Sequence, residues 1–322
     1  MKVFVTRNIP EAGLKILEER YDVTVSDKDR PLEKNEIIEG VEEADALLCL
    51  LHDQIDTEMM DAGSNLKIIS NYAVGYDNID VEAATEREIV VTNTPGVLTE
   101  ATAEITWALM MAASRHIVEG DKFVRKDNFS GWDPGLMVGH ELSGKTLGII
   151  GMGNIGMAVA RLSTGFDMEI LYYNSSRNEE AEEKYGARKV GLEELLQSSD
   201  FVSLHVPLTE ETKEMISWKE LKMIKKSAYL INAARGEVVN EEALIEALRS
   251  GKIAGAGIDV YSDEPYGANP DYYDLDNVVL APHLGSATFR AREGMAVMAA
   301  ENIVAMLEGE KPKYIVNPEM LN

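Results

Sequence analysis

The sequence has a single cysteine, few basic residues and no long apolar run. Cys49 has no partner for an intrachain disulfide, which favours a reducing, cytoplasmic compartment. The longest apolar runs, such as ADALLCLL (44–51), are too short to span a bilayer. With 56 acidic against 31 basic residues, the net charge of −25 argues against nucleic acids and anionic membranes as partners. The five histidines form no cluster with cysteine, so we expect no metal site.

Apolar, β-branched runs alternate with amphipathic helical stretches from end to end. One series extends from KVFVT (2–6) to IVVT (89–92), and a second extends from TLGII (146–150) to NVVLA (277–281). Strands that alternate with helices indicate a parallel sheet covered on both faces. The 322 residues therefore predict an α/β fold with two doubly wound parallel-sheet domains.

Proline and glycine mark the break between the two series. Pro95 and Gly96 end the first, and Thr99 can cap a helix over about 100–119. This helix is rich in Ala, Met and Leu, so it is either buried against a sheet or part of a subunit interface. A second crossing is expected at APHLGSATF. We predict two domains, a continuous one over 100–284 and a discontinuous one of 1–99 with 285–322, and a homodimer formed through the continuous domain.

A glycine-rich turn directly follows TLGII. In Gly151-x-Gly153-x-x-Gly156 the first glycine permits the tight turn, the second lets a pyrophosphate approach, and the third lets helix and strand pack closely. The helix N-terminus attracts phosphates through its free N–H groups. The strand–turn–helix context predicts a dinucleotide site. It consists of Gly151, Met152, Gly153, Asn154, Ile155 and Gly156.

The strand EILYY ends without the carboxylate that marks an NAD site. An acidic residue is expected about 20 residues beyond the glycines, where it binds the ribose 2′-hydroxyl. Here the strand is followed by Asn174, Ser175, Ser176 and Arg177. Hydroxyl groups and an arginine favour a 2′-phosphate, so we predict NADP as the preferred cofactor. NAD remains the alternative if this is an ordinary polar turn.

Ionisable residues follow three strands of the second series. Arg235 follows AYLIN, Glu264 follows AGAGIDV, and His283 follows NVVLA. Ligands of open α/β sheets bind outside the carboxyl ends of the strands, so the three groups can converge on one crevice. Taken singly, each is compatible with an ordinary charged loop.

Several motifs resemble the D-isomer-specific 2-hydroxyacid dehydrogenases over nearly the whole chain. They are GMGNIG, NAARGEVVNEEAL, GAGIDVYSDEP, PHLGSAT and NYAVGYDNID. The closest subgroup is the glyoxylate and hydroxypyruvate reductases. The resemblance implies a Rossmann cofactor domain beside a flavodoxin-like substrate domain. It also implies that a small anionic 2-oxo acid is reduced by hydride transfer from NAD(P)H.

The resemblance also implies roles for individual residues. His283 would be the general acid, Glu264 would hold its ring, and Arg235 would bind the substrate carboxylate and carbonyl. Further substrate contacts are implied for Leu50, Leu51, Val74 and Gly75. Further cofactor contacts are implied for His205, Val206, Pro207, Ala233, Ala234 and Asp259.

Two alternatives stay open. A relative in the same family could act on D-lactate, phosphoglycerate or another D-2-hydroxy acid. A non-catalytic, cofactor-sensing protein could use the same scaffold, although the presence of all three ionisable residues disfavours it.

Overall fold

A computed structural model describes residues 1–264 and 267–321; Pro265 of the SDEP motif lies outside them. The chain divides into two compact units. The first consists of Met1–Leu98 and Ala287–Asn322, and the second consists of Thr99–Ser286.

The strands of the described residues are β1 (Lys2–Val5), β2 (Asp22–Val25), β3 (Ala46–Leu50), β4 (Ile68–Tyr72), β5 (Val90–Thr92), β6 (Thr146–Ile150), β7 (Glu169–Tyr173), β8 (Arg188–Lys189), β9 (Phe201–Leu204), β10 (Tyr229–Asn232), β11 (Gly255–Ile258) and β12 (Val278–Leu280). The helices are α1 (Glu11–Glu18), α2 (Lys34–Val41), α3 (Thr57–Ala62), α4 (Val81–Glu86), α5 (Thr99–Ser114), α6 (Ile117–Arg125), α7 (Asn154–Ser163), α8 (Glu179–Tyr185), α9 (Leu192–Ser198), α10 (Trp218–Met223), α11 (Glu241–Arg249) and α12 (Phe289–Leu307). Short 3-10 turns lie at Thr164–Phe166, Gly236–Val238, Pro270–Tyr272 and Pro318–Leu321.

The first unit contains a five-stranded parallel sheet in the order β2-β1-β3-β4-β5. This is the flavodoxin-like strand order. Helix α12 packs against α1 and β4. The hydroxyl groups of Tyr72 and Ser70 donate to the carbonyl oxygens of Arg292 and Ala299 on this helix, at 2.7 and 3.0 Å.

The second unit contains a seven-stranded parallel sheet in the order β12-β11-β10-β9-β6-β7-β8. Counted from β6, this is the Rossmann order with one more strand beyond the last. Successive side chains of β6 point to opposite faces: Leu147 and Ile149 join one apolar cluster, and Ile150 joins the other. Burial on both faces explains why the strands are nearly continuous apolar runs. The predicted fold class is confirmed.

The helix expected over about 100–119 ends earlier than its composition indicates. His116 adopts a left-handed conformation, with φ of 53°, which separates α5 from α6. Helix α5 packs against β10, β11 and α7, with Trp107, Leu109 and Met110 buried. Of the two interpretations of this helix, burial against a sheet is therefore the one that the structure supports.

Candidate active site

Arg235, Glu264 and His283 lie at the carboxyl-terminal ends of β10, β11 and β12. These strands are adjacent in the sheet of the second unit. Because parallel strands all end at the same edge, residues that are separated by 48 positions in the chain come together there. The convergence predicted from the strand ends is present for all three residues.

His283 and Glu264 form a tight pair. Nδ1 of His283 lies 2.6 Å from Oε2 of Glu264, and Oε1 of Glu264 accepts the backbone N–H of Tyr261 at 2.9 Å. Burial alone would raise the pKa of Glu264, but the hydrogen bond and charge of His283, with help from Arg235, leave that pKa below its ordinary value. Glu264 is therefore an ionised carboxylate at neutral pH. It accepts from Nδ1, and the opposite ring nitrogen, Nε2, points away from it.

The backbone of His283 is held in a left-handed conformation, with φ of 54°. A non-glycine residue adopts this region at a cost of about 1–3 kcal/mol, so the surrounding structure has to enforce it. Asp259 does so: its Oδ1 accepts the N–H of Leu284 at 2.7 Å, its Oδ2 accepts that of Gly285 at 2.8 Å, and its carbonyl accepts that of His283 at 2.9 Å. Burial raises the pKa of Asp259, while these N–H groups and His283 oppose the rise. Asp259 thus clamps the His283 turn, a role that the sequence did not indicate.

Arg235 is positioned by the last residue of β10. Nδ2 of Asn232 donates to the carbonyl oxygen of Arg235 at 2.8 Å, and Oδ1 of Asn232 accepts the N–H of Ala234 at 3.1 Å. A Cβ at Gly236 would lie only 2.0 Å from the carbonyl carbon of Tyr261, so only glycine permits this close approach. The half-buried Arg235 guanidinium contributes to the low pKa of Glu264, which places the positive charge within electrostatic reach of the histidine pair. Asn232 was missed in the sequence because a polar residue that ends an apolar strand carries no distinctive signal.

The glycine turn after β6 fits a dinucleotide. Gly151 has φ of 95°, and a Cβ there would meet the carbonyl oxygen of His205 at 2.4 Å; one at Gly156 would meet the Gly151 oxygen at 2.2 Å. At Gly153, by contrast, no described atom beyond the local backbone and the two neighbouring residues lies within 4 Å of the Cβ position, so the backbone is open to a ligand. Among the described side chains, none caps α7, which leaves its first N–H groups for a pyrophosphate. The remaining motif residues, Met152, Asn154 and Ile155, lie in the same turn and first helical turn.

The turn after β7 places one carboxylate beside the expected basic residue. Oδ1 of Asn174 accepts the N–H of Met152 at 3.3 Å, which ties this turn to the glycine loop. Arg177 donates to Oε2 of Glu182 through Nε and Nη2, at 2.8 and 2.5 Å. The guanidinium lowers the pKa of Glu182, so the carboxylate is ionised. Lys189 donates to the carbonyl oxygen of Ser175 at 3.1 Å. The sequence analysis therefore missed two charged neighbours of this turn, the negative Glu182 and the positive Lys189.

A cavity of about 360 Å³ lies beside this turn, lined by Arg177, Glu182, Ala187, Arg188 and Lys189. Three of the five side chains are basic. Arg177 is part of the Asn174–Arg177 turn and Lys189 donates to it, whereas Arg188 is paired with Glu194 at 2.7 Å.

His205, Val206 and Pro207 follow β9 beside the glycine turn, and Ala233 and Ala234 follow β10. Nε2 of His205 lies 2.7 Å from Oγ of Ser203, and Nδ1 has no hydrogen-bond partner among the residues that the structure describes. Desolvation lowers the pKa of His205 to about 3, so its ring is neutral. His205 is unsuited to be the acid of a reaction at neutral pH.

The remaining predicted substrate residues lie in the first unit. Leu50 is the last residue of β3 and Leu51 follows it, Val74 and Gly75 follow β4, and the two strands are neighbours. All four residues are partly exposed. Hydrogen bonds of Asn71 and Asn78, which the sequence did not single out, join the two loops.

Metal-binding clusters and membrane-spanning helices are both absent from the described ranges. No group of three or more His, Cys, Asp or Glu side chains in residues 1–264 and 267–321 is arranged to hold a metal ion. Over the same ranges, every helix is too short or too polar to cross a membrane.

Comparison with known proteins identifies the family. The model of the "D-isomer specific 2-hydroxyacid dehydrogenase, NAD binding domain" matches residues 107–285. A glyoxylate reductase from Thermococcus litoralis is 52% identical over 324 residues, which cover 99% of this chain and 98% of the relative. A crystal structure of a protein from Thermus thermophilus superimposes with a TM-score of 0.92 at 44% identity and covers 98% of this chain and 100% of that one.

A further solved structure is similar over most of its length. It is an NADPH-dependent glyoxylate/hydroxypyruvate reductase from Sinorhizobium meliloti in complex with NADP and malonate, with a TM-score of 0.86 at 29% identity over 98% of this chain and 96% of that chain. The predicted enzyme class, an NAD(P)-dependent dehydrogenase, is confirmed, and the cofactor is a nicotinamide dinucleotide. The chain belongs to the D-isomer specific 2-hydroxyacid dehydrogenase family.

Proposed function

We propose that the protein reduces glyoxylate or hydroxypyruvate to the corresponding 2-hydroxy acid, with the D configuration where the product is chiral. The observation that carries this proposal is the His283–Glu264 pair beside Arg235, on strand ends of the unit that contains the glycine turn. The full-length likeness to glyoxylate reductases supports the choice of substrate. The second unit then binds the cofactor, and the first contributes substrate contacts.

The side chains divide the chemistry as follows. The bound nicotinamide supplies the hydride. Arg235 binds the substrate carboxylate and polarises the carbonyl through its planar fork of donors. His283 transfers the Nε2 proton to the carbonyl oxygen, which becomes the hydroxyl group, and regains a proton from solvent. Glu264 stabilises the protonated ring before the transfer and keeps Nε2 oriented throughout.

Initial rates with different substrates test this function. We expect loss of NADPH absorbance with glyoxylate and hydroxypyruvate, and slower turnover with pyruvate and bulkier 2-oxo acids. Faster turnover of pyruvate would favour a D-lactate dehydrogenase. A tight cofactor complex with no turnover of any 2-oxo acid would favour the cofactor-sensing alternative.

NADP is proposed as the preferred cofactor. Ser175, Ser176 and Arg177 offer donors to a 2′-phosphate, and Lys189 adds a second cation at the same turn. The Arg177–Glu182 ion pair is a competing contact: the side chain of Arg177 is 68% exposed but that of Glu182 only 18%, so a 2′-phosphate has to replace a partly buried carboxylate as the partner of Arg177. The NADPH-dependent relative from Sinorhizobium meliloti gives further support.

Asn174→Asp tests the cofactor preference. The aspartate can still accept the N–H of Met152, but it places a negative charge beside the 2′-phosphate. We expect the KM for NADPH to rise about 10-fold, since two negative charges about 4 Å apart repel by roughly 1–4 kcal/mol near a protein surface, while the KM for NADH stays equal or falls. Lys189→Gln should weaken NADPH in the same direction.

Lys184→Gln is the matched control for Lys189→Gln, because Lys184 is an exposed lysine of α8 that pairs with Glu180. A wild-type protein that strongly prefers NADH would show that the turn after β7 does not select NADP.

A homodimer is proposed through exposed apolar side chains of the second unit. They lie just after α5, within residues 117–138, where an uncovered apolar surface is costly in water. The most exposed are Ile117, Val124, Phe129, Trp132 and Val138. A second copy can bury the same surface on both chains about a two-fold axis.

The acidic surface and the buried Cys49 agree with a cytoplasmic location, which stays a prediction.

Trp132→Ser should separate this dimer, because the side chain of Trp132 is 85% exposed in the single chain and aromatic anchors dominate interfaces. We expect a dimer dissociation constant at least about 30-fold higher, corresponding to ~2 kcal/mol. Sedimentation velocity over a concentration series measures it. Tyr273→Ser, at an exposed tyrosine outside residues 117–138, should leave the dimer intact.

A further inference from the structure

Two loops of the first unit carry the predicted substrate contacts. The β3 loop is defined as Leu50, the last residue of β3, with the turn through Asp53, and the β4 loop is Ala73–Tyr76. Loops are the mobile parts of most folds, yet substrate groups have to be held to within fractions of an ångström. The contacts that hold these two loops therefore bear on how a 2-oxo acid is bound.

Asn78 is hydrogen-bonded to the β3 loop. Its Nδ2 donates to the carbonyl oxygens of Leu50 at 3.1 Å and Asp53 at 2.9 Å. The side chain is buried, and the residue is only 5% exposed. The two carbonyl groups at the two ends of the loop therefore share one amide nitrogen, which fixes the distance between them.

A second asparagine carries the connection to the β4 loop. Nδ2 of Asn71 donates to Oδ1 of Asn78 at 2.9 Å and to the carbonyl oxygen of Gly75 at 2.9 Å. Asn71 is fully buried at the end of β4. Two side-chain amides thus link the β3 loop to the β4 loop.

Only an amide satisfies this arrangement. Each asparagine has to donate two hydrogen bonds from one nitrogen, and Asn78 also has to accept one. A carboxylate of the same shape accepts but cannot donate, so it would face the Leu50 and Asp53 carbonyls with like partial charges.

Other hydrogen bonds restrain each of the two loops separately. Oδ2 of Asp53 accepts the hydroxyl of Thr6 at 2.5 Å and the N–H of Leu50 at 2.7 Å. Nδ2 of Asn93 donates to the carbonyl oxygen of Val74 at 2.7 Å. Pairing of Leu50 with Tyr72 aligns the two strand ends, and beyond them the Asn78–Asn71 link connects the two loops.

We infer that Asn78 is a positioning residue for substrate binding. It acts through Asn71 to hold Leu50 and Leu51 in register with the Val74–Gly75 backbone. The inference rests on the proposed function, because that function makes these loops the carboxylate-binding part of the first unit. The β4 loop then offers N–H groups to a substrate carboxylate in a fixed geometry, and no loop ordering has to accompany binding.

Asn78→Asp tests the inference by removing both donors at nearly constant volume. We expect the KM for glyoxylate to rise about 10-fold or more, because a displacement near 1 Å can cost up to about 10²-fold. kcat should fall less than KM rises, and the dissociation constant of NADPH should be unchanged. Asn71→Asp, which removes the other half of the link, should show the same pattern.

Asn317→Asp is the matched control. Asn317 is also a buried asparagine of the first unit, 1% exposed, and its Nδ2 also donates two hydrogen bonds, to Thr85 and Ile89. Both variants should lower the melting temperature, but only the Asn78 and Asn71 variants should raise KM. Equal KM values in Asn78→Asp and Asn317→Asp would overturn the inference. If Asn78→Asp does not fold, Asn78→Ser, whose smaller side chain leaves room for a bridging water, is compared with Asn317→Ser in the same way.

Binding of oxamate separates this inference from the proposed reaction. Oxamate resembles a 2-oxo acid but is not reduced, and calorimetry measures its affinity for the NADPH complex. Oxamate binding that is weakened in Asn78→Asp but not in Asn317→Asp supports the positioning role even if glyoxylate is not turned over. Oxamate binding that is equal in both variants overturns the role even if the wild type reduces glyoxylate.

Discussion

His283→Asn is expected to lower kcat for glyoxylate reduction by about 10²–10⁴, the range that general acid catalysis contributes. Asparagine has a similar size and can still donate a hydrogen bond, but it has no proton to transfer at neutral pH. NADPH affinity should be unchanged, because the glycine turn that fits the pyrophosphate lies on other strands. Single-turnover kinetics with saturating NADPH measure the chemical step directly.

His140→Asn is the control for this substitution. His140 lies in the same unit and contacts the hydroxyl group of Tyr229 at 3.1 Å, away from the strand-end residues. It should retain normal turnover. If His283→Asn also turned over at the normal rate, the assignment of the general acid would be wrong.

The lowered pKa of Glu264 makes the stability of the folded protein depend on pH at acidic values. Its pKa is below the ordinary value in the folded protein, so the stabilisation from the ionised carboxylate is complete above the unfolded pKa and is lost as pH falls through the lowered one. Around neutral pH, Glu264 therefore remains charged and does not itself produce a change in activity.

Arg235→Ala is expected to lower kcat/KM by a factor that corresponds to about 2–5 kcal/mol of lost transition-state stabilisation. This is the range for removing one partner of a buried charge pair. Both kcat and KM should change, because in the proposed mechanism the arginine contacts the ground-state carboxylate and also the oxygen that gains negative charge. Arg235→Lys should restore only part of the loss, since a point charge cannot form two parallel hydrogen bonds. Steady-state kinetics with glyoxylate measure both variants.

A thermal melt of the same proteins distinguishes binding from folding. The Arg235 variants should melt close to the wild type, as should Arg249→Ala, which removes an exposed arginine of α11 that pairs with Asp271. If Arg235→Ala melted far lower while its folded fraction turned over normally, Arg235 would be a structural ion-pair residue and not a substrate ligand.

The strands and the glycine turn could be predicted because their signals are local. A strand buried on both faces is a short apolar run, and Gly151-x-Gly153-x-x-Gly156 after such a run needs no distant partner to be recognised. The convergence of Arg235, Glu264 and His283 was also predictable, since parallel strands end at one edge whatever the loops do.

Other features depended on contacts between distant parts of the chain. Asp259 clamps a turn 25 residues further on, and the Asn78–Asn71 link joins loops that follow different strands. Neither has a periodic pattern, and a buried polar residue resembles an exposed one in the sequence. The break at His116 depends on one positive φ inside a continuous apolar pattern. The strand pattern and the strand-end residues could therefore be inferred from the sequence. Which buried polar atoms pair to hold those residues in place was decided only by tertiary structure, because each partner is chosen by packing and not by its neighbours in the chain.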